Sequence, residues 1–250
     1  YLGYADYDVE RAEEIRRREQ ALIARADLVL VTSRALLDSK GGINPNTHWV
    51  PNAVDYERFS KAVEEGREPE QVADLCRPRV GYVGAINEKI DIALLSDLAQ
   101  ALPQAAIILV GPVRSNSEAM ERNIETLRER SNVHFVGRVP VEEVPCFMNA
   151  CDVGLLPYRR NAWTQHIHPL KLYEYLACGL PIVSTDIPAA HEEEGFVCIA
   201  SPAGFAAAVS EALSNDSEDL RARRRQRAAQ NTWIDRVERI STLIERTLGD

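Results

Sequence analysis

HIHPLKLYEYLACGLPIVST, residues 166–185, reads as a short helix that opens at one proline and passes to a buried strand across another. Pro169 suits the first turn of a helix, where its missing N–H costs nothing. Gly179 suits the left-handed position just past a helix end. The run Pro181-Ile182-Val183-Ser184-Thr185 is β-branched and reads as a strand buried on both faces. A helix is therefore expected over 169–178, with its N-terminus opening onto a cleft. Such an end carries unpaired N–H groups and the positive pole of the helix dipole, and it suits an anion such as a phosphate. Lys171 and Glu174 lie three residues apart, on one face of that helix.

Working outward, the same rhythm recurs. Apolar strands are expected at 79–84, 105–111, 133–137, 152–158, 181–185 and 196–200. Helices are expected between them, at 92–102, 115–131, 140–150, 169–178, and after the last strand at 203–214. This alternation specifies an α/β fold with a doubly wound, Rossmann-like parallel sheet. The strands show almost no polar alternation, as strands covered on both faces require. Ligands of such sheets bind outside the carboxyl ends of the strands. Those ends are Gly84-Ala85-Ile86-Asn87, Gly111-Pro112, Gly137-Arg138, Pro157-Tyr158 and Thr185-Asp186. Three begin with glycine, which lets a ligand approach the backbone. Upstream, a helix is expected over 9–26, a strand at 26–33, a short helix stopped by Gly41-Gly42 and a strand at 47–54. Residues 55–78 read as a linker or an exposed helix. Two helices, 216–230 and 232–248, close the chain.

The 250 residues are 45% hydrophobic and 27% charged, the balance of an ordinary globular protein. A net charge of −9 argues against a nucleic-acid partner, which needs a basic footprint. The cysteines at 76, 146, 151, 178 and 198 are odd in number and form no Cys-x-x-Cys, so reduced and mostly buried thiols of a cytosolic protein are expected. No run is long and apolar enough to span a membrane, and no signal peptide is expected. No Gly-x-Gly-x-x-Gly follows a strand, which speaks against a dinucleotide-dependent dehydrogenase. His166 and His168 lack further ligands nearby for a metal; as a loop pair they can donate to phosphate or sugar oxygens. Arg221, Arg223, Arg224, Arg225 and Arg227 read as the exposed face of a late helix, with a membrane-surface contact left open. Tyr158-Arg159-Arg160 fits either a cleft wall or a solvated loop. His48, His134 and His191 carry no functional signal.

Six segments stand in order: VPNAVD (50–55) with Phe59, VGYVGAI (80–86), IILVGP (107–112), NVHFVGRVP (132–140), CDVGLLPY (151–158) and PLKLYEYLACGLPIVST (169–185). Together they resemble the donor-binding half of a GT-B glycosyltransferase of the retaining, nucleotide-sugar-dependent type, similar to enzymes that build bacterial surface polysaccharides. The resemblance runs from about residue 26 to the end. It implies transfer of a sugar from a nucleoside-diphosphate sugar to an acceptor such as a lipid-linked saccharide. It implies no cofactor and no metal, and a cytoplasmic protein with peripheral membrane contact left open. It also implies that 79–231 form the donor-binding Rossmann-like domain, 1–54 a remnant of the acceptor-side domain, 55–78 a linker and 232–250 a terminal helix. The chain, which opens at Tyr1, then reads as starting mid-protein.

By the same resemblance Glu174 holds the donor ribose, and the turn from His168 through Leu170 and Lys171 to Leu172 cradles the diphosphate, Lys171 neutralising its charge. Lys171 and Glu174 are thus the expected catalytic pair. Gly84 and the turn after it, with Asn87 and Lys89, face the phosphates; Gly137 and Arg138, within Val136–Val139, line the base. Two departures stand out. His166 occupies the position, eight before Glu174, where the family carries a sugar-contacting glutamate. After Gly84, Ala85-Ile86-Asn87-Glu88-Lys89 replaces the family's arginine and later Lys-Gly, with Lys89 the substitute. Two other readings share the fold: a nucleotide-sugar binding module inactive without its missing domain, and a sugar-nucleotide epimerase.

Overall fold

The computed structural model describes residues 9–249. Its core is a six-stranded, wholly parallel sheet in the order β5-β4-β3-β6-β7-β8. These strands are β3 (Arg79–Val83), β4 (Ala106–Val110), β5 (Val133–Gly137), β6 (Val153–Leu156), β7 (Ile182–Thr185) and β8 (Val197–Ala200). Every residue of β3, β4, β6 and β7 is buried, whereas the edge strands β5 and β8 are partly open. That explains the missing polar alternation, because only the edges meet water. Two strands, β1 (Val29–Val31) and β2 (Thr47–Trp49), form a separate parallel pair near the start. Helix α1 (Val9–Arg25) precedes them, and α2 (Arg34–Lys40) connects them.

Counted from β3, the strand order is 3-2-1-4-5-6. The winding reverses between β3 and β6, so the ligand crevice of such a sheet lies above their carboxyl ends. Helix α8 (Leu170–Ala177) is tied to β3 at that point through Tyr175. The Tyr175 hydroxyl donates to the Gly81 carbonyl at 3.3 Å and accepts from the Val83 N–H at 3.1 Å. Gly154 on β6 makes the room, since a Cβ there would come within 2.6 Å of the Tyr175 ring. The Tyr175 ring is fully buried, a burial that contributes about 2–3 kcal/mol from its apolar area.

The stretch expected as a linker or an exposed helix contains a helix, and one that is partly buried. Residues 56–65 form α3 (Tyr56–Glu65), N-capped by Asp55, and 70–73 form the single turn α4 (Glu70–Ala73). Phe59, Ala62 and Val72 are buried, and α3 packs on α8 and on α7 (Val144–Asn149). Their spacing carries too few apolar residues to announce a packed helix. The remaining sheet helices are α5 (Ile92–Ala101), α6 (Glu118–Arg128) and α10 (Phe205–Ser214), with a one-turn α9 (Pro188–His191) after β7 that the sequence does not signal.

Helix α11 (Glu218–Ala229) packs against α8 and carries the arginine run. Four of its five arginines are in ion pairs: Arg221 and Arg224 with Asp216, Arg225 with Glu218, and Arg227 with Glu193. Arg224 also donates to the Gly179 carbonyl, at 3.1 Å. The run is therefore spent largely on ion pairs that fix α11, and Arg224 ties it to the C-terminal end of α8. Helix α12 (Trp233–Leu248) opens with a Thr232–Asp235 capping box and returns to the first strands. Buried Arg236 donates to the Pro51 carbonyl at 3.0 Å, and Asn46 donates to the Thr247 hydroxyl at 3.2 Å. Cys146, Cys151 and Cys178 are buried, Cys76 and Cys198 exposed, and all five are free thiols. No helix among the described residues is long and apolar enough to cross a membrane.

Candidate functional site

The first N–H groups of a helix have no partner within it. Pro169 occupies the N-cap position of α8, one residue earlier than the sequence places it, and no side chain caps the end. The Leu172 N–H already donates to the Pro169 carbonyl at 3.2 Å, and the Leu172 side chain is core. Leu172 therefore leaves the expected cradle, and the N–H groups of Leu170 and Lys171 remain as its backbone donors. Gly179 takes the expected left-handed conformation, φ 75°, past the other end.

Lys171 turns back from α8 across the end of β3. Its ammonium lies against Gly84, where a Cβ would stand 2.3 Å from Nζ, and 5.4 Å from the Tyr82 ring centroid. Gly84 has φ 151°, a conformation that favours glycine. The turn beyond it is pinned to the turn after β6. The Asp91 N–H donates to the Pro157 carbonyl at 2.8 Å and the Arg159 N–H to the Lys89 carbonyl at 2.7 Å. That pairing sets Lys89 Nζ 5.7 Å from the Tyr158 ring centroid and 5.9 Å from that of Trp163, within cation–π reach.

Lys171 and Lys89 thus converge above the β3–β6 reversal, and among the described residues neither ammonium has a hydrogen bond or an ion pair with an acid. Burial first, and then the charge of Lys171, lower the pKa of Lys89 to about 8. Burial likewise lowers the pKa of Lys171, against an opposing pull from Glu174. Glu174 lies on the same face of α8; burial raises its pKa, while Lys171 and Arg58 of α3 pull it down. Its carboxylate has no hydrogen-bond partner among the described residues. Asn87 Oδ1 is buried without a donor as well. Two desolvated cations beside an uncapped helix N-terminus create a concentrated positive potential, and unsatisfied carboxylate and amide oxygens stand next to it.

The other expected residues fall around this centre. Gly137, with φ 83°, ends β5 and accepts from the Gly111 N–H at 2.7 Å, while Arg138 is exposed on the rim. The two histidines diverge. His166 Nδ1 lies 2.6 Å from the Ala162 carbonyl, and its ring lines a cavity of about 540 Å³ with Arg34, Arg160, Asp186, His191 and Glu192. His168 is buried, its ring nitrogens have no hydrogen-bond partner, and burial pushes its pKa down to about 4. Glu192 Oε2 is 3.8 Å from His168 Nε2, so at neutral pH this is a contact of a neutral imidazole and not an ion pair. Arg160 does reach the cleft, 3.2 Å from Asp186, and His191, which carried no signal, holds the same carboxylate at 2.8 Å.

Sequence reading missed the residues that brace this loop from the N-terminal segment. The Ser33 hydroxyl donates to the His166 carbonyl at 2.8 Å, and Asn52 Nδ2 donates to the His168 carbonyl at 2.5 Å. Asn52 lies in VPNAVD, a motif visible in the sequence, but its partner lies 116 residues away.

Comparison with known proteins agrees with this geometry. The model of the family described as glycosyl transferases group 1 matches residues 77–215. A Bacillus subtilis protein, named for a glycosyltransferase of teichuronic acid biosynthesis, is 29% identical over 240 residues, covering 89% of this chain and 58% of its own length. Sucrose-phosphate synthase from Thermosynechococcus elongatus superposes with a TM-score of 0.77 at 22% identity, over 98% of this chain and 63% of that one. Anabaena HepE, solved in complex with UDP and glucose, gives 0.71 at 20% identity, over 92% and 66%. The chain thus spans less than two thirds of these proteins. The match over more than half of its residues, on a doubly wound parallel sheet, makes this chain a member of the group 1 glycosyl transferases with the Rossmann-like architecture of the GT-B fold.

Proposed function

We propose that this chain binds a nucleoside-diphosphate sugar, and that the protein it represents transfers the sugar, with retained anomeric configuration, to a saccharide acceptor of surface-polysaccharide assembly. The observation that carries the proposal is the convergence of Lys171 and Lys89 on the uncapped N-terminus of α8. Departure of the diphosphate is the difficult part of glycosyl transfer. Negative charge grows on the phosphates while the sugar carbon becomes electron-poor. Donors already aimed at that charge lower the barrier without reorganising. Here they are the N–H groups of Leu170 and Lys171 and the two ammonium groups.

Glu174 accepts hydrogen bonds from the ribose hydroxyls and so fixes the anomeric carbon toward the cleft shared with the N-terminal segment, a positioning role. The backbone from Val136 to Val139 lines the base. The acceptor is a saccharide, in keeping with the Bacillus relative's name for teichuronic acid biosynthesis, and the reading extends to a lipid-linked acceptor met at the cytoplasmic face. No resident metal takes part, since the helix dipole and lysines supply the charge stabilisation.

Product analysis tests this. The chain is incubated with UDP-glucose, GDP-mannose, ADP-glucose and TDP-glucose, with and without a lipid-linked saccharide extract. Transfer releases nucleoside diphosphate and consumes acceptor. An epimerised nucleotide sugar without acceptor would replace transfer by epimerisation. Binding without turnover, even with acceptor present, would leave a donor-binding module that needs the rest of its protein.

A further inference from the structure

The segment VPNAVD, residues 50–55, braces the loop before α8 through Asn52, and it is itself tied on both sides of that residue. Arg236 holds the Pro51 carbonyl and reaches the Asn231 side chain at 2.6 Å. The Val54 N–H donates to the Asn231 carbonyl at 3.0 Å, and the Trp233 N–H donates to the Val54 carbonyl at 3.3 Å. Asp55 caps α3 by accepting from the Arg58 N–H. Between these ties stands Asn52, so its side-chain amide is aimed by a fixed backbone. Its target is the carbonyl of His168.

That carbonyl is awkward for an anion site. It belongs to the peptide joining His168 to Pro169, which has no N–H to offer. If it faced the phosphates, its oxygen would oppose them. It sits one residue ahead of the two N–H groups that must face the other way. The buried His168 ring adds packing against Tyr173 but no hydrogen bond of its own.

We propose that Asn52 is a positioning residue for the donor diphosphate: its amide holds the His168 carbonyl away from the anion and thereby turns the N–H groups of Leu170 and Lys171 toward it. Ser33 does the same for the His166 carbonyl, but it also caps α2 by accepting from the Leu36 N–H, so Asn52 is the separable member. The inference rests on the donor-site reading above. It assigns Asn52 to the phosphates alone, because ribose and base are held by Glu174 and the β5 loop.

The test is calorimetric titration of the chain and its Asn52→Ala and Asn52→Asp variants with UDP, GDP, ADP and TDP, and displacement titration with the nucleoside of the one that binds. The expected result in Asn52→Ala is about a five- to twentyfold loss of diphosphate affinity, with nucleoside affinity within about twofold of the unsubstituted chain. Asn52→Asp, which sets an acceptor against the carbonyl, loses more. Asn52→Ser, too short to reach, replaces the alanine variant if that one fails to fold. An unchanged ratio of diphosphate to nucleoside affinity in a folded variant overturns the role of Asn52 while leaving the donor site standing. Equal loss of both ligands overturns it as well, since that marks a general structural effect. No nucleotide binding by the unsubstituted chain overturns the donor site and this inference with it.

Discussion

The ammonium of Lys171 rests on Gly84, so close that a methyl group at this glycine would stand 2.3 Å from Nζ. A residue on the first turn of α8 and the last residue before the β3 turn are thereby made into one surface. The missing side chain at 84 lets the cation settle directly above the point where the sheet reverses its winding.

Adding that methyl has two consequences. Gly84→Ala would strain the backbone at φ 151° and push Lys171 out of its seat. A stability loss of about 1–3 kcal/mol is expected in denaturant titration, together with weaker nucleotide binding. An alanine variant that melts and binds like the parent would show that Lys171 does not need this seat.

Glu174→Gln separates binding from folding. Burial already disfavours the ionised form of Glu174, so the neutral amide relieves a cost and the melting temperature should not fall. Hydrogen bonds between a carboxylate and ribose hydroxyls are worth about 1.5–3 kcal/mol, so nucleotide affinity should drop by about tenfold or more. Unchanged affinity in the folded variant removes Glu174 from the site.

Lys89 makes binding depend on alkaline pH. Its pKa in the free protein is about 8, and a bound diphosphate favours the charged form and raises it. Affinity should therefore be level below pH 8 and fall as pH climbs beyond, approaching tenfold per unit. Lysine 171 shifts the same way. In Lys89→Arg the guanidinium stays charged, so the fall should begin later. Calorimetry from pH 6.5 to 9.5 on both proteins checks this, and identical profiles would exclude Lys89 from contact with the anion.

Arg236 predicts a structural effect at a distance. It is 8% exposed and serves both the Pro51 carbonyl and the Asn231 side chain. Arg236→Ala leaves two buried acceptors without donors, at about 2–4 kcal/mol in total. Urea denaturation measures the loss, and a change within about 0.5 kcal/mol would mean that α12 is held by its other contacts.

Most of the sheet was legible because its central strands are buried on both faces and must be continuously apolar. Gly179 and Pro169 marked the ends of α8 because only those residues are cheap there, although Pro169 caps the helix instead of beginning it. Lys171 and Glu174 stood out through the resemblance of PLKLYEYLACG to the family motif, and Lys89 only as a substitute where the turn after Gly84 departs from the family pattern. What the spacing could not show was partnership at long range. The arginine run looks like a solvated face until Asp216, Glu218 and Glu193 are brought beside it. His166 and His168 look like a pair until one turns to the cleft and the other to the core. Residues 55–78 look like a linker or an exposed helix because Phe59, Ala62 and Val72 are too sparse to form a stripe. Asn52 is silent in the sequence because its role is set by a carbonyl, and carbonyls are the same at every residue.

The most direct measurement is calorimetric titration of the chain and its Lys171→Met variant with UDP, GDP, ADP and TDP. One nucleoside diphosphate should bind the chain, and at least about tenfold of that affinity should vanish with the ammonium. A folded chain that binds none of the four, or binds one equally well without Lys171, would contradict a diphosphate site at the start of α8.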